Sequence, residues 1–555
     1  MRYITLILLV LKTLNSQAHI ISIENGNISG IEYDKYFAYR GIKYATAGRF
    51  SLPKPFDGKW CGIKDFRDYR ESCAQYDHLT YEFKGVEDCL FLNVFVPKKV
   101  LESEELAPVI FYIHGGAFMF GGSADYLPDH FMENEKMILV TINYRLGILG
   151  FLSTEDEVLP GNLGMKDQVE ALKWVQRNIK AFNGDPDKVT LSGFSAGGAS
   201  VQLHYLSTQS KGLFKNGISH SGNALDPWVF MENAKSKAHQ VAESMNCPHD
   251  DHGKMLECLK QTPTKELVTL LKEFQPFLYN PFSPFGLVVE PVHESAFLSE
   301  HPRSLLESGK FSHLPWLLTQ TKDEGLYPAA EFYSNEEFLD EIDKKFDDLA
   351  PYILHFNDET DDKRKLIKAS CRIRKHYMED KKVSRENFEL FENMVTDRLF
   401  KSGAYEAIQL QSKYSPSFCY HFDYKSNYSV GEILGKSTDF LGISHGEDIF
   451  LIFTHLRPHV YSEDEKKMAQ NLINMYYEFS INNLPKFDIQ VIHQSTPNAT
   501  QYLEISSNKK YEMKSDKFGN VKFWRNIEKL LHCNKPNIFL TCNGHFDDES
   551  TGSIC

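Results

Sequence analysis

At 555 residues the chain can bury a large core, as one very large domain or as several average ones. Its 42% hydrophobic and 25% charged residues are ordinary for a globular protein, and a mean hydropathy of -0.38 excludes a membrane-embedded chain. A formal charge of -14, from 61 basic and 75 acidic residues, argues against a nucleic-acid partner, because phosphate binding needs a concentrated positive surface.

Residues 1–18 differ in character from the rest of the chain. Arg2 precedes an apolar run, Ile4 to Leu11, broken only by Thr5; Lys12 and a polar stretch come next, ending Ser16-Gln17-Ala18. Small residues at the two positions a signal peptidase inspects predict a secretory signal, too short and wrongly flanked for a spanning helix. Residues 19–555 are expected to form one domain, since no internal repeat or low-complexity linker marks a boundary. Export suits the ten cysteines and makes Asn27, Asn427 and Asn498, each two residues before Ser or Thr, expected glycosylation acceptors. No later apolar run reaches spanning length, and the tail from His545 to Cys555 lacks the hydrophobic stretch of a lipid-anchor signal. A secreted product with no membrane partner is the expectation.

Further along, short apolar runs alternate with amphipathic ones. Val109 to Ile113 reads as a strand entering His114-Gly115-Gly116, and Met137 to Asn143 as another entering Tyr144-Arg145-Leu146-Gly147. Between Asp167 and Lys180, Val169, Leu172, Val175 and Ile179 recur at helical spacing. Val189 to Leu191 is a strand meeting Ser192-Gly193-Phe194-Ser195; Trp316 to Thr319 and Phe418 to Phe422 are later ones. Continuous apolar strands alternating with helices predict an α/β fold, a mainly parallel sheet covered on both faces. Residues from about 230 to 400, richer in charge and helix formers, are expected to pack as helices over the catalytic edge.

Gly193-Phe194-Ser195-Ala196-Gly197 fits G-x-S-x-G, with an apolar strand before it and a helix-compatible stretch after it. A serine on a tight strand-to-helix turn has a strained backbone, and side chains two residues away would collide across it; hence glycine on both sides. Its Oγ would point over the sheet's carboxyl edge, with the helix N-terminus beneath favouring negative charge. Upstream, His114-Gly115-Gly116 follows a strand. An acyl-transfer intermediate puts charge on a former carbonyl oxygen, so it needs unobstructed amides; Gly115, Gly116 and Ala196 are the candidates. Removing one such donor typically costs about 3 kcal/mol of barrier.

The order nucleophile, acid, histidine then directs the search. His445, in Leu441-Gly442-Ile443-Ser444-His445-Gly446, sits between glycines that let a loop reach another loop. Asp323 and Glu324 follow an apolar strand and offer adjacent carboxylates, between which composition does not choose.

Taken together these residues resemble the type-B carboxylesterase and cholinesterase family, in particular its secreted insect-type esterases, over nearly the whole chain. The most specific block is Glu87-Asp88-Cys89-Leu90-Phe91-Leu92-Asn93-Val94; others are Asn143-Tyr144-Arg145-Leu146-Gly147, Gly161-Asn162-Leu163-Gly164 with Asp167-Gln168, and Phe182-Asn183-Gly184-Asp185-Pro186. The resemblance implies an α/β-hydrolase fold and serine hydrolysis of carboxylic esters through an acyl-enzyme, with no metal or organic cofactor. It makes Glu324, of Asp-Glu-Gly, the acid and His445, of G-x-x-H-G-x-D/E, the base. It pairs Cys73 with Cys89 and Cys247 with Cys258, each short loop worth about 3 kcal/mol or less. The family's third disulfide falls on Ser402 and Val521 and should be absent. Cys61, Cys371, Cys419, Cys533, Cys542 and Cys555 stay unassigned; Cys533 with Cys542 is one guess, and Cys555 at the terminus could join two chains, so a monomer or homodimer is expected.

Departures narrow the substrate. Phe194 stands where cholinesterases carry an acidic residue and juvenile-hormone esterases typically carry Gln. The segment His78 to Lys84 lacks the Trp that stacks on choline, which removes the cation–π platform for a quaternary ammonium. Trp228 matches a residue lining the family's acyl pocket, and Phe282 and Phe285 fall near another pocket segment. The expected substrate is a small, neutral, apolar ester. A dedicated hormone, pheromone or venom esterase is the narrower alternative, and a silent adhesion member is disfavoured by the complete triad.

Overall fold

A computed structural model describes residues 19–379, 381–427, 429–454, 461–497 and 499–533. The expected signal, Asn498, Cys542 and Cys555 lie outside them. The main sheet has eleven strands: β1 (Ile31–Glu32), β2 (Tyr36–Lys43), β3 (Phe91–Pro97), β4 (Ala107–Ile113), β5 (Ile138–Ile142), β6 (Gly184–Phe194), β7 (Asn216–His220), β8 (Trp316–Thr321), β9 (Ser417–Phe422), β10 (Tyr502–Ser507) and β11 (Lys510–Lys514). Their spatial order is 1-2-3-5-4-6-7-8-9-10-11. Every pair from β5 across to β10 is parallel, while the outer pairs on each side are antiparallel. The antiparallel margins were not read from the sequence.

Alternation along each strand splits the core into two layers. In β4, Val109, Phe111 and Ile113 join one apolar cluster while Ile110 and Tyr112 join the other. The first face is covered by α1 (Leu163–Asn178), which carries Val169, Leu172 and Val175, and by α2 (Ala196–Leu206). Region 230–400 does contain helices, among them α3 (Ala234–Ser244) and α4 (His252–Gln261). Residues 275–301 form none, yet Phe277, Tyr279, Phe282, Phe285 and Leu287 in that stretch are buried. Pro276, Pro281, Pro284 and Pro291 break any helix there. Side chains satisfy the irregular backbone instead: Asn162 exchanges two bonds with Val288, and Gln275 donates to the Tyr279 carbonyl. The opposite face of the sheet is covered by α5 (Glu463–Asn482), through Met468, Leu472, Met475, Tyr476 and Phe479.

Cys73 is bonded to Cys89 and Cys247 to Cys258. Cys371 and Cys533 are disulfide-bonded as well, whereas Cys61 is an exposed thiol and Cys419 a buried one. At Ser402 the Asn520 amide, next to Val521, donates to the hydroxyl at 2.9 Å. Among the described residues no helix is long and apolar enough to cross a membrane. Asn27 and Asn427 are both exposed.

Candidate active site

Strand β6 ends at Phe194 and α2 begins at Ala196, so Ser195 alone makes the turn, at φ 58° and ψ -119°. Such a backbone costs about 1–3 kcal/mol and persists only where its surroundings fix it. Here they do. A Cβ on Gly193 would lie 2.4 Å from the Gly197 carbonyl, and one on Gly197 would lie 2.0 Å from the Ile113 oxygen. The Ser195 amide donates to the His220 carbonyl at 2.7 Å, and the Ser195 carbonyl accepts from Ala199.

Just past β8, Glu324 is fully buried. Its Oε1 accepts from the Thr321 amide at 2.7 Å, and its Oε2 faces His445 Nδ1 at 2.6 Å. The neighbouring Asp323 has a different task. Its Oδ2 accepts from the Ile443 amide at 2.8 Å, fastening the loop that carries His445, and burial pushes its carboxyl above the ordinary value. Two adjacent carboxylates are thus told apart by what reaches each. With Nδ1–H directed at Glu324, Nε2 presents its lone pair. That nitrogen is buried and has no hydrogen-bond partner among the described residues, so its bond to Ser195 Oγ is not formed here. Such bonds commonly close only when substrate arrives. The ring nonetheless sits beside the elbow: Phe194 is 4.6 Å away, Phe400 4.7 Å and Tyr327 5.5 Å.

The glycine loop abuts the same point, since a Cβ on Gly115 would come 3.1 Å from Ser195 Cβ. Gly116 has φ +104°, and a side chain there would strike the Phe120 carbonyl. Ala196 supplies the first amide of α2, one of those with no acceptor inside the helix. Gly115 differs: its amide donates to the Tyr126 hydroxyl at 3.2 Å. Gln75, inside the Cys73–Cys89 loop, steadies the loop's far end by accepting from the Gly121 amide at 2.7 Å and donating to its carbonyl at 2.9 Å.

Residues 17–524 match the model of the Carboxylesterase family. The chain is 39% identical over 539 residues to Venom carboxylesterase-6 of Apis mellifera, covering 92% of this chain and 95% of that one. It is 36% identical over 535 residues to Esterase P of Drosophila melanogaster, covering 91% and 97%. The chain belongs to the carboxylesterase family. Among solved structures, juvenile hormone esterase from Manduca sexta, with OTFP covalently attached, superposes with a TM-score of 0.79 at 25% identity, covering 92% of this chain and 99% of that one. The fold is that of an α/β-hydrolase esterase, and the activity is hydrolysis of carboxylic esters.

In this carboxylesterase Trp228 is buried against Phe118, Phe282 and Phe400, and its Nε1 donates to the Leu399 carbonyl at 2.8 Å. Phe282 bridges Trp228 to Tyr327, while Phe285 packs on Phe274. A cavity of about 190 Å³ lies behind Trp228, lined by Lys237, Arg303, His355, Arg398 and Glu528 among others, and the triad candidates are not in its walls.

Reading the sequence missed the machinery behind the elbow. His220, whose carbonyl holds the Ser195 amide, directs Nδ1 at Asp448 Oδ2 (2.9 Å) and Nε2 at the Tyr476 hydroxyl (2.6 Å). Tyr420 also donates to Asp448, at 2.8 Å. Burial alone would push the Asp448 carboxyl up, but His220 and Tyr420 outweigh it and hold the value below the ordinary one. Asp448 is the closing acidic position of the G-x-x-H-G-x-D/E motif that carries His445, and that was the signal available.

Proposed function

We propose that Ser195, His445 and Glu324 carry out ester hydrolysis, with Gly116 and Ala196 as the principal oxyanion donors and Gly115 joining them once its amide leaves Tyr126. Ser195 Oγ attacks the ester carbonyl while its proton passes to His445 Nε2; Glu324 holds the Nδ1–H and stabilises the imidazolium. The proton then goes to the leaving alcohol as the acyl-enzyme forms. Water, activated by the same nitrogen, releases the acid and restores the serine. The observation that carries this reading is the 2.6 Å contact of His445 with Glu324, which leaves Nε2 unengaged in a ring packed on Phe194, the residue before the strained Ser195.

The substrates we propose are neutral, apolar esters. Trp228 and Phe282 form the acyl side, and Phe194, Phe400 and Tyr327 enclose the base. His78, in the segment that lacks a choline-stacking Trp, is kept neutral by burial, which drives its value down to about 3. We further read the protein as secreted as one domain of residues 19–555; the disulfide-bonded cysteines, Cys73, Cys89, Cys247, Cys258, Cys371 and Cys533, and the exposed Asn27 and Asn427 support export.

The test is hydrolysis of 4-nitrophenyl acetate by the wild type and by Ser195→Ala, followed by a series of acyl lengths and by acetylcholine. Ser195→Ala should lose nearly all turnover with an unchanged Tm, and acetylcholine should be a poor substrate. Wild-type rates in Ser195→Ala would show another nucleophile.

A further inference from the structure

Away from the triad, three half-buried histidines gather around the Cys247–Cys258 disulfide: His239 on α3, His249 in the following loop and His252 at the start of α4. His239 Nε2 and His252 Nε2 lie only 3.0 Å apart. The rings of His239 and His249 are 5.4 Å apart, and His249 itself turns to Glu243 at 3.5 Å.

The hydrogen positions follow from the partners. His252 Nδ1 bonds to Asp156 Oδ2, so its proton sits there and Nε2 carries a lone pair. Asp156 is itself fixed, accepting from Thr154 Oγ1 and from the Val158 amide. The same 153–158 turn anchors α3, where Glu155 Oε1 accepts from the Ala234 amide at 3.0 Å. The His239 ring packs against both His252 and His249. Without a metal, His239 Nε2–H donates to His252 Nε2. Moving that proton to Nδ1 leaves two lone pairs facing each other across the 3.0 Å gap, and a tilt of the rings turns both onto one ion.

We propose that His239 and His252 bind a divalent transition ion of borderline softness, such as Zn²⁺, through their two Nε2 atoms. Bonds of 2.0–2.1 Å at a tetrahedral ion separate two nitrogens by about 3.3 Å, so the pair needs to open by only a few tenths of an ångström. Imidazole suits such ions, and a carboxylate on the far ring nitrogen is the usual support of a ligating histidine. Among the described residues no group of three His, Cys, Asp or Glu is arranged to hold an ion. The site is therefore two-coordinate from protein, and water completes it. The ion would join α3 to the start of α4, the helix that carries Cys258; ester hydrolysis does not depend on it.

The experiment is titration of the full, tag-free chain with Zn²⁺ after chelator treatment, read by competition with a chromophoric chelator and by Tm. The wild type should bind one ion with a Kd below about 100 µM and gain Tm. His239→Gln and His252→Gln should each weaken binding at least tenfold, and Asp156→Asn about 10–100-fold. All three should keep metal-free 4-nitrophenyl acetate turnover, which shows that they fold. No binding by the wild type up to 100 µM, or unchanged affinity in the His239→Gln/His252→Gln double variant, overturns the proposal.

Discussion

The molecule buries two imidazole–carboxylate pairs on either side of one serine. His445 faces Glu324 at the open edge of the sheet; His220 faces Asp448 beneath it, in the layer covered by α5. In both, a carboxylate takes Nδ1. The difference lies at the second nitrogen. Tyr476 occupies Nε2 of His220, whereas Nε2 of His445 has no partner among the described residues. One pair is closed upon itself and supports the backbone behind Ser195; the other leaves a ring nitrogen without a partner among the described residues, as the base we propose requires. Saturation of the second nitrogen, not burial, is what tells the two rings apart, since both are buried.

The contrast can be broken by exchanging losses. Glu324→Gln should lower kcat about 10³–10⁴-fold, by presenting the wrong tautomer, with little change in Tm. Asp448→Asn should do the reverse: about 3–5 kcal/mol of stability lost in denaturant titration, because a buried pair is broken from one side, with kcat of the folded enzyme within about tenfold of wild type. If Asp448→Asn cut kcat as deeply as Glu324→Gln at unchanged stability, the two pairs would share one function.

A pH experiment sharpens the comparison. Glu447 lies between His445 and Asp448, and burial pushes its carboxyl to about 8 from an ordinary 4.5. The folded group keeps its proton to about pH 8 while the unfolded one releases it near 4.5, so this residue makes stability fall as pH rises between those values. Glu447→Gln should flatten that decline, as measured by chemical denaturation across the same window. The smallest effect concerns the donors. Tyr126→Phe should raise kcat by less than about tenfold, by freeing the Gly115 amide; a fall of 10²-fold would mean that the hydroxyl serves catalysis.

What could be read from the chain alone was whatever sterics enforce locally. The glycines at 193 and 197 are required within five residues, and the structure shows the collisions that expel any side chain. The central parallel strands were legible because both faces are buried and each run is continuously apolar. Asp323 and Glu324 were not separable by pattern, since the distinction is made by loop 441–446, over a hundred residues away. The rings around His445 come from three distant segments, and stretch 275–301 mixes helix-compatible composition with prolines; neither leaves a periodic trace. Tyr126 and Gln75 sit in unremarkable sequence and act only through backbone groups brought to them by folding.

Gln75 carries one last consequence. By gripping both the amide and the carbonyl of Gly121 from inside a covalently closed hairpin, it makes the Cys73–Cys89 bond a splint for the glycine loop. On the oxyanion assignment we propose, closing that bond would set turnover as well as durability: an enzyme assembled with those thiols reduced should retain its sheet and its elbow while the glycine loop slackened.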